Sequence, residues 1–515
     1  MALLMGIDLG STSIKAVIYD ETGNAVASGS RPTPLSHDNP AQPTWCVWEP
    51  DRIWECVVNA SKEATSKIKN AEEIKAVAVT GFGMDGLPLD KEGTPLYPMI
   101  SWHCPRTIPQ CEAFSTRIGA ENMFSRTGKQ VMDIDSIYRM IWMKENHPEI
   151  LEKTDKWLLI EDFVNFMLCG EKATDYSMAT CTAVFDQRTH DWCDYLLKEA
   201  GIPRSIFPKA YQSGRVLGTI LPKAAEQTGL SKDTLIVLGG HDYICSALSA
   251  GAIDEDVLLD ITGTWEMLVL ATDKVCLSDE LFKSGYYLEG HVAKDKCCYV
   301  GSTVSGDMTE WMRNTLCGEE KISAEASGAN IWSLISEACE KSTPGSKGCI
   351  FLPHFSGAGA PKMDPNSMGA FLGLHNAVSK GDILRSVIEG LDYQFLMMIE
   401  SFATYNLGSP KRIVATGGAT KNRFWMQNKA NVTGRCLEVP ELYEATPLGA
   451  AMMAGVGAGI YKDEMEAVNA VRKQVSVYEP DEEEHKLYED YYRNIYSKLQ
   501  STLADVNHEL SKRFR

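Results

Sequence analysis

Four short segments of this chain carry side chains able to handle phosphate, a divalent metal and a hydroxyl proton. The first is Asp8, followed by Leu9, Gly10, Ser11, Thr12 and Ser13, with Lys15 just beyond. A carboxylate ending an apolar run can hold hydrated Mg2+, while the N–H groups of a small-residue turn converge on phosphate oxygens. The second segment repeats this device in the other half of the chain, as Asp260 followed by Thr262, Gly263 and Thr264. The third is Thr416-Gly417-Gly418-Ala419 with Asn422. A strand meeting paired glycines and then a helix lets a planar base approach the backbone and sets N–H groups near phosphates. The fourth is Asp242 in Gly240-His241-Asp242-Tyr243. A carboxylate that follows an apolar strand sits at the mouth of a crevice, where it can take the proton of an attacking hydroxyl. His241 is the other candidate for that base.

Any one of these turns could simply close a hairpin. Two hairpins with an acid before the turn, in corresponding places of two halves, predict a duplicated phosphate clamp and a nucleotide ligand. The elements needed to position them are legible. LLMGIDL, SIKAVIYD and NAVASGSR read as three strands, with ETGN turning between the last two. A helix follows from Pro50, its stripe formed by Trp54, Val57, Val58 and Ala64. IKAVAVTGFG and LIVLGG read as buried strands, and the stretch from Thr107 to Leu230 as mainly helical. The second half offers the helix SKGDILRSVIEGLDYQFLMMIESFATY, the strand RIVATGG and the helix PLGAAMMAGVGAGI. Strands alternating with helices give an α/β protein. We place the domain boundary where the hairpin device restarts, giving one domain over residues 1–250 and a second over 251–515.

The 515-residue length exceeds one core, which independently favours two domains. The balance of 50 basic against 69 acidic residues, a net charge of −19, repels nucleic acid and anionic membranes. The 15 cysteines form no paired Cys-x-x-Cys motifs, and many lie in apolar stretches. They read as small core residues of a protein kept in a reducing cytoplasm. No signal-like N-terminus and no membrane-length apolar run is evident, so a soluble cytoplasmic protein is expected.

GAFLGLHNAVSKGDILRSVIEGLDYQF and IDSIYRMIW resemble the C-terminal and N-terminal signatures of the FGGY carbohydrate kinase family, with Arg139 where lysine is usual. VTGFGMDGLPLDKEGTPLYPMISWHCPRT, KENHPEILE and GTWEML are similar to segments of its fuculokinase branch. The resemblance spans nearly the whole chain. It implies a two-domain actin/hexokinase/Hsp70-type ATPase fold, built from duplicated ribonuclease H-like domains with a cleft between them. It further implies ATP and Mg2+ as cofactors and Asp242 as catalytic base. The sugar, an L-fuculose-like ketose, would be held by Met84, Asp85, Trp102, His103 and Arg106. ATP would lie on Gly10, Ser11, Thr12, Ser13, Lys15, Gly263, Thr264, Gly417, Gly418 and Asn422, with Asp8 orienting the metal. His103 and Tyr243 depart from the branch pattern, where lysine and threonine are expected, which leaves open another ketose or polyol: rhamnulose, xylulose, a tetrulose or erythritol. An ATPase switch on the same fold is the alternative from another class. Extra residues around 320–348 read as either a surface insertion or an oligomer contact such as a homodimer.

Overall fold

The computed structural model describes residues 2–471 and 474–514. In the first half, β1 (Leu3–Leu9), β2 (Ser13–Asp20) and β3 (Ala25–Pro32) form an antiparallel meander. Helix α1 (Pro50–Thr65) follows, and β4 (Ile74–Gly81) returns parallel to β1. With β5 (Val216–Thr219) and β6 (Leu235–His241) the sheet has the order β5-β6-β4-β1-β2-β3, and β6 is parallel to β4. The near-continuous apolar run of β1 reflects cover on both faces.

Helix α2 (Asp242–Ala250) leads into the second half. Its sheet comprises β7 (Val257–Thr262), β8 (Trp265–Thr272), β9 (Tyr287–Gly290), β10 (Cys297–Val304), β11 (Arg412–Gly417), β12 (Cys436–Pro440) and β13 (Val475–Tyr478). The spatial order is β9-β10-β8-β7-β11-β12-β13. In each sheet a central strand has an antiparallel meander on one side and parallel strands on the other. The path β3-β2-β1-β4-β6 therefore has its counterpart in β10-β8-β7-β11-β12. The two similar hairpins of the sequence are the leading edges of a topological duplication.

Helices α3 (Gly318–Ser327), α4 (Ile331–Glu340), α5 (Lys380–Thr404), α6 (Arg423–Thr433) and α7 (Ala445–Gly457) belong to the second half. Ser379 and Asp382 close a capping box that starts α5. Helix α7 is apolar all round because it lies between the halves, packed on β1, β4, β6 and α2. Two glycines permit that approach. A Cβ on Gly6 would stand 1.8 Å from the Pro447 carbonyl oxygen, and one on Gly449 would stand 1.9 Å from that of Cys245. Leu4, Val237, Leu259, Val414 and Met453 share the resulting core, so strands of both sheets meet there.

The stretch from Thr107 to Leu230 is less purely helical than its sequence suggests. It also contains the short strands Lys156–Leu159, Ala173–Asp175 and Phe185–Asp186. Runs this short never develop a two-residue periodicity.

Candidate active site

Three parallel strands end at one edge of the first sheet. Leu9 of β1 pairs with Gly81 of β4, and Gly81 with His241 of β6. Strand register alone thus brings together the Asp8 turn, the Phe82–Asp85 loop and Asp242, which opens α2. This is the carboxyl edge of a sheet, where α/β proteins bind ligands.

Asp8 and Asp242 are both partly exposed and repel one another. Burial first, and then Asp242, push the Asp8 carboxyl up to about 7 against the pull of Lys15. Burial likewise raises Asp242, opposed by His241. The Asp242 carboxylate accepts a bond of 2.6 Å from the Tyr243 N–H, which fixes one oxygen and leaves the other without a donor at hydrogen-bond distance among the described residues. Two carboxylates disfavouring each other's charge suit a hydrated divalent cation. Lys15 is engaged at 2.6 Å with Glu444, immediately before α7.

The expected sugar residues divide into two kinds. Met84 and Trp102 are half-buried and His103 is exposed, its ring stacked on Trp102 at 3.7 Å between centroids. Asp85 is wholly buried and already bonded: it accepts from Trp48 Nε1 at 2.7 Å, from the Trp102 N–H at 2.9 Å and from Arg139 at 3.1 Å. Burial raises its carboxyl to about 6, opposed by Arg139 and both tryptophan donors. Arg106 is likewise engaged within the protein. Its guanidinium is sealed in a two-pronged pair with Asp38 at 2.6 and 2.8 Å and lies over the Trp45 ring at 4.4 Å. A charge buried in this way needs its partner more than a ligand.

In the second half, Thr262 of β7 pairs with Gly417 of β11 and donates to the Thr416 carbonyl at 2.8 Å. Gly263, Thr264, Gly418, Asn422 and Gly306 line a cavity of about 700 Å³ beside this edge. Glycine is required at 417, where φ is +100° and a Cβ would lie 2.1 Å from the Thr262 carbonyl oxygen. Beside it, Gly418 faces open space. The cavity has the size, the open backbone and the strand-end N–H groups that a nucleotide needs.

Asp260 does not mirror Asp8. It is fully buried against Lys429 of α6 at 2.7 Å, and Lys429 also pairs with Glu266. Its role is to tie α6 to the sheet. The residues around 320–348 are not a remote insertion: α4 supplies Trp332, Ser336, Glu337 and Glu340 to the cavity wall, and Ser336 bonds Asn422 at 3.1 Å.

A cavity of nucleotide size at the strand edge of one half and a strand-end carboxylate pair in the other, on two sheets of duplicated topology, are the parts of a two-domain phosphotransferase of the actin/hexokinase fold. Residues 3–249 match the N-terminal domain, and residues 259–458 the C-terminal domain, of the FGGY family of carbohydrate kinases, to which this chain belongs. The chain is 27% identical to the L-fuculokinase of Escherichia coli over 502 residues, covering 93% of this chain and 98% of that one. It is 28% identical to a xylulose kinase of Staphylococcus epidermidis over 513 residues, 98% of each. The solved gluconate kinase of Lactobacillus acidophilus superimposes with a TM-score of 0.86 at 25% identity, covering 99% of both chains. The protein is an ATP-dependent carbohydrate kinase. Among the described residues, no helix is long and apolar enough to cross a membrane.

Proposed function

We propose that this kinase transfers the γ-phosphoryl group of ATP to a terminal hydroxyl of a ketose, with L-fuculose or a near relative as its best substrate. The observation that carries the reading is Asp242, held at the common end of β1, β4 and β6 with one carboxylate oxygen free of donors from the described residues. In the transfer, that oxygen accepts the hydroxyl proton as the sugar oxygen bonds to phosphorus and ADP departs. Met84, Trp102 and His103 line the sugar side, while Asp85 fixes the Trp102 backbone and the Trp48 ring. The Gly10–Ser13 and Thr262–Thr264 turns grip phosphates from the two halves, and Gly418 and Asn422 receive the base. Asp8 would hold Mg2+ through water, and the metal would supply charge neutralisation for the phosphates.

The xylulose kinase relative supports a ketose class as strongly as the fuculokinase does. The fuculose reading rests on the FGMDG and WHCPR segments. The cysteines, free in this structure, fit a reducing cytoplasm. A coupled ADP-release assay over 6-deoxyketohexoses, ketopentoses, tetruloses, gluconate and polyols tests the assignment. L-Fuculose or a close analogue is expected to give the highest kcat/KM; preference for D-xylulose or gluconate over every 6-deoxyketohexose would overturn it.

A further inference from the structure

Beneath Asp242 lies a buried cluster that the transfer chemistry just described does not use. Glu289, on β9 of the second half, has no solvent exposure and reaches into the first half. Its Oε1 lies 2.5 Å from His241 Nδ1, and its Oε2 accepts from the Tyr243 hydroxyl. His241 is gripped elsewhere as well, its N–H donating to Ser177 Oγ at 2.9 Å. The other ring nitrogen, Nε2, stands 3.6 Å from the Asp242 carboxylate. A row of carboxylate, imidazole and carboxylate therefore runs from the second half to the base.

The strand that carries Glu289 is locked in place. Gly290 presses against the helix Tyr176–Thr180, where a Cβ would come within 2.6 Å of the Tyr176 carbonyl carbon. Its N–H donates to Thr180 Oγ1 at 3.3 Å. Cys181 Sγ approaches His241 at 3.6 Å, which brings Cys181, His241 and Glu289 together as if around a metal. Both Cys181 and Glu289 meet the same imidazole nitrogen, however, and direct contact there leaves no room for an ion between them. The trio is a set of contacts shared at His241 Nδ1, with Glu289 the nearer partner. Glu289 sits below its ordinary range: burial opposes its charge, but His241 outweighs that. Burial also opposes the His241 charge, and Cys181 and Glu289 together overcome it.

We infer that Glu289 is a positioning residue for phosphoryl transfer, acting through His241 to hold the base Asp242 in its reactive orientation, with Tyr243 fixing the Glu289 carboxylate. A carboxylate that orients an imidazole through Nδ1 is an established way to order a reactive site. Here the imidazole orders a neighbouring carboxylate. Because Glu289 arrives on the second half, the base is fully held only when β9 is docked against the first half. Tyr243 acquires a role in the same way, since its hydroxyl reaches Glu289, which a threonine at 243 could not do.

The inference rests on the kinase reading, and the test separates the two. Wild type, Glu289→Gln, Tyr243→Phe, His241→Gln and the Glu289→Gln/His241→Gln double variant are compared in sugar-dependent ADP release, with melting curves and zinc content measured alongside. Glu289→Gln should lower kcat roughly tenfold or more while both KM values stay within about twofold. Tyr243→Phe should lose less, about two- to fivefold. The double variant should be no slower than His241→Gln alone, since one residue works through the other. Wild-type kcat in both Glu289→Gln and Tyr243→Phe would overturn the inference, as would losses that multiply in the double variant. A raised sugar KM at unchanged kcat would make Glu289 a substrate contact instead, and stoichiometric zinc in wild type would make the trio a coordination shell. If Glu289→Gln does not fold, Tyr243→Phe decides. Wild type showing no sugar-stimulated ADP release would be a failure of the kinase reading, not of this one.

Discussion

Replacing Asp85 tests whether its carboxylate is scaffold or sugar contact. The side chain is wholly buried and accepts from Trp48, the Trp102 backbone and Arg139. Asp85→Ala would leave the Arg139 guanidinium buried without its anion, although Arg139 keeps the Ile100 carbonyl at 3.0 Å. Breaking a buried pair on one side costs about 3–5 kcal/mol, and each orphaned donor adds to it. We therefore expect Asp85→Ala to lose about 3–5 kcal/mol of stability in denaturant unfolding and to lose activity with it. Removing both charges, as Asp85→Ala/Arg139→Met, should recover part of that loss relative to either single variant, because no uncompensated ion remains. The assay is paired: unfolding curves for wild type, both single variants and the double, alongside kcat/KM for the best sugar. A stability loss under about 1 kcal/mol with kcat/KM down roughly a hundredfold or more would refute the reasoning and make the carboxylate a direct sugar ligand.

Other consequences follow from the same geometry. Asp8→Asn should stabilise the protein without nucleotide. The folded-state carboxyl is raised from 3.8 to about 7, so its destabilising effect grows as pH rises through that window and is complete above it. Unfolding free energies of variant and wild type should coincide near pH 4 and separate by pH 8, by about 1–2 kcal/mol after screening at this partly exposed site, and a constant gap would contradict the assignment. Trp332→Ala, in the cavity wall, should raise the ATP KM about three- to tenfold with the sugar KM unchanged, measured by steady-state kinetics. Lys429→Met leaves Asp260 and Glu266 buried and unpaired, and should cost about 3–5 kcal/mol in unfolding with little change in the KM of surviving enzyme.

The strands that hold the site were legible because their signals are local. LLMGIDL, SIKAVIYD and IKAVAVTG fold as read, and α1 begins at the expected Pro50. Asp8, Asp242 and the Gly417-Gly418 pair could be found because strand-end acids and glycines before helices mark sheet edges. What escaped was long-range. Asp260 and Asp8 look alike in sequence, yet Lys429, far along the chain, claims the first, and no buried lysine among the described residues claims the second. Arg106 matches a family position, but Asp38 takes its guanidinium. Glu289 lies in a YLEG run that carries no motif, and only the docking of β9 on the first half brings it to His241. The segment around 320–348 has the composition of a surface helix pair, and nothing local announces that α4 walls the cavity.

The central claim is that Asp242 is the base of a sugar-dependent phosphoryl transfer. Its most direct test is the sugar-saturated kcat of Asp242→Asn, measured by ADP release with binding of ATP and sugar checked separately. The account predicts binding near wild type and a kcat lowered roughly 10²–10⁴-fold, the range for loss of a positioned base. Wild-type kcat in a variant that binds both substrates would contradict it.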